Sequence, residues 1–330
     1  MSLNLSNNFT DDGSDSEEPS LVRHIKFFLF LPIEIPSIIC ALGIIYYYVT
    51  QRELRRLNNH SIIFLLIGSF LMITTELPIT LNFLLTGYVL PSRPAFCLFW
   101  IFYNFSLQSC NLMLMAWTSI ERHLLIFHQH LMQTKWGKIK YHYLPLIVCV
   151  TYIPIFYLYF VIFYPNCTNS FDYHSLVCGG PCYNYVPTIA TVDWGINILF
   201  PSVLTPVFSL GLLLRVLYQQ KKVRRTFQWR NNRKMVIQLL AIASLYSLFW
   251  IPLAILSIIR TFYIPTFADV VTTYYFYYTP YLVQMLLPFV CLACLPQLIR
   301  KCSWNRNKRI RPVPIDTAAL PTMAQGMKDF

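Results

Sequence analysis

An all-α membrane protein, folded as a bundle of seven transmembrane helices with an extracellular N-terminus and a cytoplasmic C-terminus, is the fold class this sequence predicts. Three observations carry the prediction. Hydrophobic residues make up 56% of the chain and charged residues only 12%, about half the charged share of roughly 25% found in soluble domains. A mean hydropathy of +0.49 over 330 residues requires several apolar segments, each near the roughly 20 residues that span a bilayer. The Lys and Arg residues gather in every second connection between those segments.

The chain opens on an acidic, Asn- and Ser-rich segment, 1–24, which is too polar to bury and is expected as a disordered extracellular tail. No basic region leads into an apolar run with a small-residue cleavage site, so the first apolar stretch is expected to act as an uncleaved anchor. Seven apolar stretches follow, at about 26–50, 61–86, 97–120, 143–164, 194–218, 235–259 and 273–299. The first holds Glu34, and the second holds Glu76 just before Pro78. In the third, the 22 residues from Leu98 to Ser119 carry no formal charge, and then Glu121 and Arg122 arrive side by side. Tyr and Pro interrupt the fourth and seventh, which a membrane tolerates where neighbouring helices re-satisfy the backbone. Together the stretches fill a transmembrane domain over 25–300, and 301–330 is expected as a cytoplasmic tail. No internal repeat is visible.

A net charge of +12 could point to nucleic acid, but its distribution points to a bilayer as partner instead. Arg52, Arg55 and Arg56 lie in the first connection, and Lys135, Lys138 and Lys140 in the third. Seven bases from Lys221 to Lys234 fill the fifth, and six from Arg300 to Arg311 fill the tail. The alternate connections hold only Arg93, none in 165–193, and Arg260. The basic side is the cytoplasmic side, which orients a multi-pass protein of the plasma membrane.

Glycosylation sequons agree: Asn4, Asn8 and Asn166 all fall on the expected outside. A fourth, at Asn104, lies within the third stretch and is discounted. Cys97 and the loop cysteines Cys167, Cys178 and Cys182 also share that oxidising side, where four cysteines allow three pairings. At least one bridge from Cys97 to the loop is expected. The simplest scheme closes the loop's own hairpin with Cys167 and Cys178, leaving Cys182 for Cys97, with Cys178 as the alternative partner. Cys302, beside Arg300 and Lys301, is a palmitoylation candidate.

Cys97 and Arg122 are 25 residues apart, about 37 Å of helix, so they mark opposite faces of one membrane. Here the chain resembles the rhodopsin-like, class A, G-protein-coupled receptors. Their third helix runs from an outer disulfide cysteine to an Asp/Glu-Arg-Tyr triplet, matched by Glu121-Arg122-His123. Trp250 and Pro252 in the sixth stretch are similar to the family's Cys-Trp-x-Pro, with Tyr246 one turn before, and Pro288 fits the seventh-helix proline. The resemblance covers about 25–300. It departs at Leu287-Pro288-Phe289-Val290-Cys291, which lacks the motif's Asn and Tyr, and at Ser69, which stands where the family has an aspartate. The first-helix Asn and fourth-helix Trp have no counterpart.

The resemblance implies a receptor for an extracellular ligand, signalling through a heterotrimeric G protein. Glu121 would restrain Arg122 at rest, and Arg122 would meet the partner on activation. Tyr246, Trp250, Pro252 and Pro288 would form the moving elements, with Pro252 favouring a kink because it removes a backbone hydrogen bond. Asn104 occupies the position of the amine receptors' aspartate. A neutral amide cannot neutralise an amine, so a peptide is favoured over an amine. Gln108 one turn deeper, Glu76, Tyr281 and Tyr277 complete the expected pocket, with the 29-residue loop 165–193 as a hairpin lid. Ser69, Asn111 and Gln284 are expected to form a neutral hydrogen-bond network in place of a sodium site.

The alternative class is a polytopic transporter or channel, which would show repeats, paired broken helices or rings of acids; none is visible. An enzyme is not expected. Glu34 and Glu76 are the acids placed in the membrane, no His lies in its core, and 10 Gly provide no phosphate loop. Neither a metal nor a cofactor is expected.

Overall fold

The protein is described from a computed structural model, which covers residues 18–51, 57–222, 226–264 and 266–293. Asn4, Asn8 and Cys302 lie outside the described residues, as does the expected C-terminal tail. Helix α1 (Ser20–Thr50) begins inside the segment expected as a tail, after Pro19, whose φ of −54° is already close to helical. The following rods are α2 (Asn59–Thr86), α3 (Pro94–Phe127), α4 (Lys135–Phe163), α5 (Pro187–Tyr218), α6 (Val236–Phe262) and α7 (Asp269–Ala293). Six of the seven, all except α3, are long and apolar enough to cross a membrane. Among the described residues no strand forms.

α3 falls below that apolar threshold for a structural reason. It runs through the middle of the bundle, packed on α2, α4, α5 and α6. It buries Asn104, Ser106, Gln108, Ser109, Asn111, Thr118, Ser119, Glu121 and Arg122. Its polar residues therefore face other helices rather than lipid. Around it the ring closes because α7 packs on α1 and α2, and α6 on α5 and α7. Ser37 Oγ donates to the Met285 carbonyl at 2.8 Å, fastening α1 to α7. Glu34 is buried, so it faces the bundle rather than reaching outward.

One backbone device recurs. π turns occupy Met72–Glu76 in α2, Ile139–Tyr143 and Tyr159–Phe163 in α4, and Asp193–Leu199 in α5. Each ends two residues before a proline: Pro78, Pro145, Pro165 and Pro201. A proline offers no N–H to the carbonyl four residues earlier and its ring pushes that carbonyl aside. Ahead of Pro78, Pro145 and Pro201, which continue their helices, widening the preceding turn by one residue absorbs the clash; Pro165 instead follows the end of α4, where Tyr164 is already extended. In α2 the Leu77 N–H reaches back to the Met72 carbonyl across this wider turn.

The basic segment 219–234, expected as a loop, is mostly helical. The fifth rod continues to Lys222 and the sixth starts at Thr226. At the opposite end, the loop expected as a hairpin is built from short 3-10 turns, Leu176–Gly179 and Cys182–Tyr185, and yields to α5 at Pro187. Two disulfides hold it. Cys97 pairs with Cys178, and Cys167 with Cys182, with Cα separations of 5.8 and 5.9 Å. Cys97 thus takes the alternative partner, Cys178, and the scheme of Cys167 with Cys178 and Cys182 with Cys97 is corrected. Val177 and Cys178 both take φ of 52°, a tight left-handed turn that buries Cys178 against the start of α3. Asn169 positions the other bridge: its Oδ1 accepts from the Cys182 N–H at 2.9 Å, and its Nδ2 donates to the Val161 carbonyl at 3.0 Å. Asn166 in the same loop is exposed.

Candidate functional site

At the disulfide end of the bundle, three residues expected to line a pocket converge on one atom. Glu76 lies at the end of the π turn of α2, completely buried. Its Oε1 accepts from Asn104 Nδ2 at 2.6 Å, Tyr281 Oη at 2.9 Å and Trp100 Nε1 at 2.9 Å. Thr80 Oγ1, one turn further along α2, sits 3.2 Å from Oε1 and 3.0 Å from Tyr281 Oη. Asn104 Nδ2 also donates to Tyr281 Oη at 2.8 Å. The network joins α2, α3 and α7. These donors stabilise the carboxyl group that α2 delivers to the level of the neutral Asn104.

Trp100 and Thr80 were not foreseen. Trp100 lies four residues before Asn104, on the same face of α3, and that spacing was the available signal. Tyr277 is half-buried, and Tyr278 is the ring that packs on Tyr281, with centroids 6.4 Å apart. The reason is the 3-10 turn at Phe276–Tyr278, which advances about 120° per residue and spoils a count of four. Tyr278 also carries Lys26 Nζ 3.7 Å above its ring, and Lys26 pairs with Glu18.

One turn deeper than Asn104, Gln108 is buried, and its Oε1 has no partner among the described residues. Trp250 on α6 is buried in the same condition, at Nε1, with Tyr246 buried one turn below it. Further along, Ser69 Oγ donates to the Gln284 carbonyl at 2.7 Å, and Asn111 Nδ2 donates to Gln284 Oε1 at 3.1 Å. This is the neutral network expected of these three residues. Gly68 makes room for it, since a Cβ there would stand 2.0 Å from Asn111 Oδ1.

A further buried acid escaped the sequence reading, which ended the loop at residue 193. Asp193 opens the π turn of α5 and is buried. Tyr157 Oη and Tyr183 Oη donate to its two oxygens at 2.8 and 2.9 Å, and Asn197 Nδ2 donates at 3.0 Å. Ser109 meets Tyr157 Oη at 2.8 Å, so the cluster ties α3, α4, α5 and the loop together.

At the far end, Glu121 and Arg122 are both buried. The Glu121 carboxylate, expected to be engaged by Arg122, is held from two neighbouring helices. Its oxygens accept from Ser61 Oγ on α2 and from His142 Nδ1 on α4. Glu121 thus turns toward α2 and α4 while its charge also acts on the adjacent Arg122. His142 sits in the first π turn of α4, and its Nε2 lies 3.3 Å from His60 Nδ1. His123 Nε2 donates to the Phe208 carbonyl at 2.6 Å, linking α3 to α5. Among the described residues, no group of His, Cys, Asp and Glu could hold a metal ion.

A family model described as "7 transmembrane receptor (rhodopsin family)" matches residues 41–291. No curated protein matches the chain.

Proposed function

This chain belongs to the rhodopsin family of seven-transmembrane receptors, and on that premise we propose that it binds an extracellular peptide and signals through a heterotrimeric G protein at the plasma membrane. The observation that carries the reading is the convergence of Glu76, Asn104 and Tyr281 from three helices on one buried centre at the disulfide end. A ligand that moves any of the three moves α2, α3 or α7 against its neighbours, which is the differential contact a receptor needs. Trp250, Tyr246, Pro252 and Pro288 lie between that centre and Arg122 and carry the rearrangement. Arg122, with Glu121 and His123 beside it, is the surface the G protein meets.

In this reading the disulfide end is extracellular and the basic ends of α5 and α6 are cytoplasmic. Asn166, exposed in the loop, and Asn4 and Asn8 are the glycosylation sites, and Cys302 the palmitoylation site. The transporter alternative finds no support in the family match. A peptide-library screen in cells with a promiscuous G-protein reporter tests the function: a repeatable response absent from untransfected cells is expected, and silence across the library counts against it. A glycosidase-sensitive band and an epitope tag at residue 226 that stains only permeabilised cells test the orientation.

A further inference from the structure

We propose that the Glu76 carboxylate is the docking point for a protonated nitrogen of the ligand, with the ligand's adjacent amide reaching Gln108 and Trp250. The proposal rests on the receptor reading above and names the ligand chemistry of the same site. Every donor that reaches Glu76 reaches the same oxygen: Trp100, Asn104, Thr80 and Tyr281 all crowd Oε1. Oε2 is equally shielded from solvent and has no hydrogen-bond partner among the described residues. Buried polar atoms in this condition are rare and ask for a partner.

Neither protonation state of Glu76 supplies that partner from within. As a carboxylate, Oε2 has lone pairs and no donor. As an acid protonated at Oε1, it can donate to the Tyr281 hydroxyl, and Oε2 still receives no donor. A cationic N–H group supplies the missing donor and neutralises the carboxylate. Lys26 is held by Glu18 and lies over Tyr278, and the Arg23 guanidinium lies beside Gly87 at the end of α2. Among the described residues no basic side chain bonds to Glu76, and its second oxygen is left for a group that comes from outside the chain.

Two further unpartnered buried atoms, one on α3 and one on α6, specify the group attached to the cation. Gln108 Oε1 lacks a donor and Trp250 Nε1 lacks an acceptor. An amide offers one of each. A protonated amine next to an amide is the chemistry of a peptide N-terminus or an amino-acid amide.

Thermal unfolding of the purified full-length receptor tests the proposal with two probes that differ in one charge, phenylalaninamide and N-acetylphenylalaninamide. The expected result is a saturable stabilisation by phenylalaninamide that the acetylated probe does not give. Glu76→Gln should weaken phenylalaninamide on the order of thirtyfold or more, as expected when one partner of a buried charge pair is truncated. Glu76→Asp keeps the charge and should retain the preference for phenylalaninamide at reduced affinity, including where the Gln variant does not fold. Equal stabilisation by both probes, stabilisation by neither, or a preference that survives Glu76→Gln overturns the proposal. So does a Glu76-dependent stabilisation given by sodium chloride in place of phenylalaninamide, which would make this an inorganic ion site. Because the readout is heat stability, a silent G-protein reporter would leave a positive result standing, and a signalling receptor with no probe discrimination would fail this proposal alone.

Discussion

His142 on α4 donates to Glu121 on α3, so the acid beside Arg122 is held by a neighbouring helix. With Ser61 on α2 taking the other oxygen, three helices are pinned at one carboxylate. Charge-assisted contacts of this kind contribute about 1.5–3 kcal/mol. Glu121→Gln should raise ligand-free signalling, since a loss of about 1.4 kcal/mol shifts a two-state ratio about tenfold. His142→Ala should do the same, which a restraint by Arg122 alone would not predict. Basal reporter output at matched surface expression is the measurement, and an unchanged baseline in both variants would reduce the cluster to a structural anchor.

Arg122→Ala should abolish or strongly weaken G-protein activation while surface expression stays near that of the parent. Arrestin recruitment measured in parallel separates two outcomes. If it survives, Arg122 touches the G protein specifically; if both are lost, Arg122 sets the receptor's active conformation.

The two disulfides should differ in what they hold. The Cys97–Cys178 bridge closes a separation of 81 residues and the Cys167–Cys182 bridge one of 15. On chain-entropy grounds these correspond to about 4.5 and about 3 kcal/mol. Cys97→Ser should therefore lower the melting temperature more than Cys167→Ser. Peptide mapping without reductant should recover the 97–178 and 167–182 pairs, and a free thiol at Cys97 would contradict the first.

Sodium should not alter agonist affinity. Ser69 provides no charge, its partner Gln284 is neutral, and so is Asn111, which bonds Gln284. A hard cation gains little from such a site in return for its hydration shell. Replacing sodium with N-methylglucamine in a binding assay is the check, and a several-fold selective effect would point to another acid.

Two glycines should behave in opposite ways. Gly68→Ala would place a Cβ 2.0 Å from Asn111 Oδ1 and should cost about 1–3 kcal/mol through overpacking. Gly43 in α1 has nothing within 4 Å of the corresponding position, so Gly43→Ala should add about 0.5–1 kcal/mol from helix propensity alone. Melting temperatures of the two variants side by side test both signs.

Much of this was legible from the order of residues alone. Seven apolar stretches locate the seven rods, and the interval from Cys97 to Arg122 sets the length of the central one. The family resemblance put Asn104, Glu76 and Tyr281 in one pocket, with Gln108 one turn deeper. What stayed hidden depended on groups meeting from different helices. His142 looked like a scattered cytoplasmic histidine because nothing in its neighbourhood announces Glu121, which lies 21 residues away. Asp193 was read as loop because its partners Tyr157 and Tyr183 come from α4 and the loop. The disulfide connectivity turned on a left-handed turn at Val177 and Cys178, where neither residue type signals it.

The π turns bear on how this receptor is compared with others. Each one adds a single residue relative to a regular helix and rotates everything beyond it by about 100°. Glu76, His142 and Asp193 all sit in such turns. A gapless alignment to a relative without the extra residue slips by one position from that point outward, so the equivalent of Glu76 would be sought on the wrong side of α2. Removing one codon within 72–76 would undo the insertion, turn Glu76 away from Asn104, and leave the length of α2 almost unchanged. Single-residue insertions and deletions ahead of prolines, more than substitutions, are then the changes by which this part of the family would acquire or lose the charge at its centre.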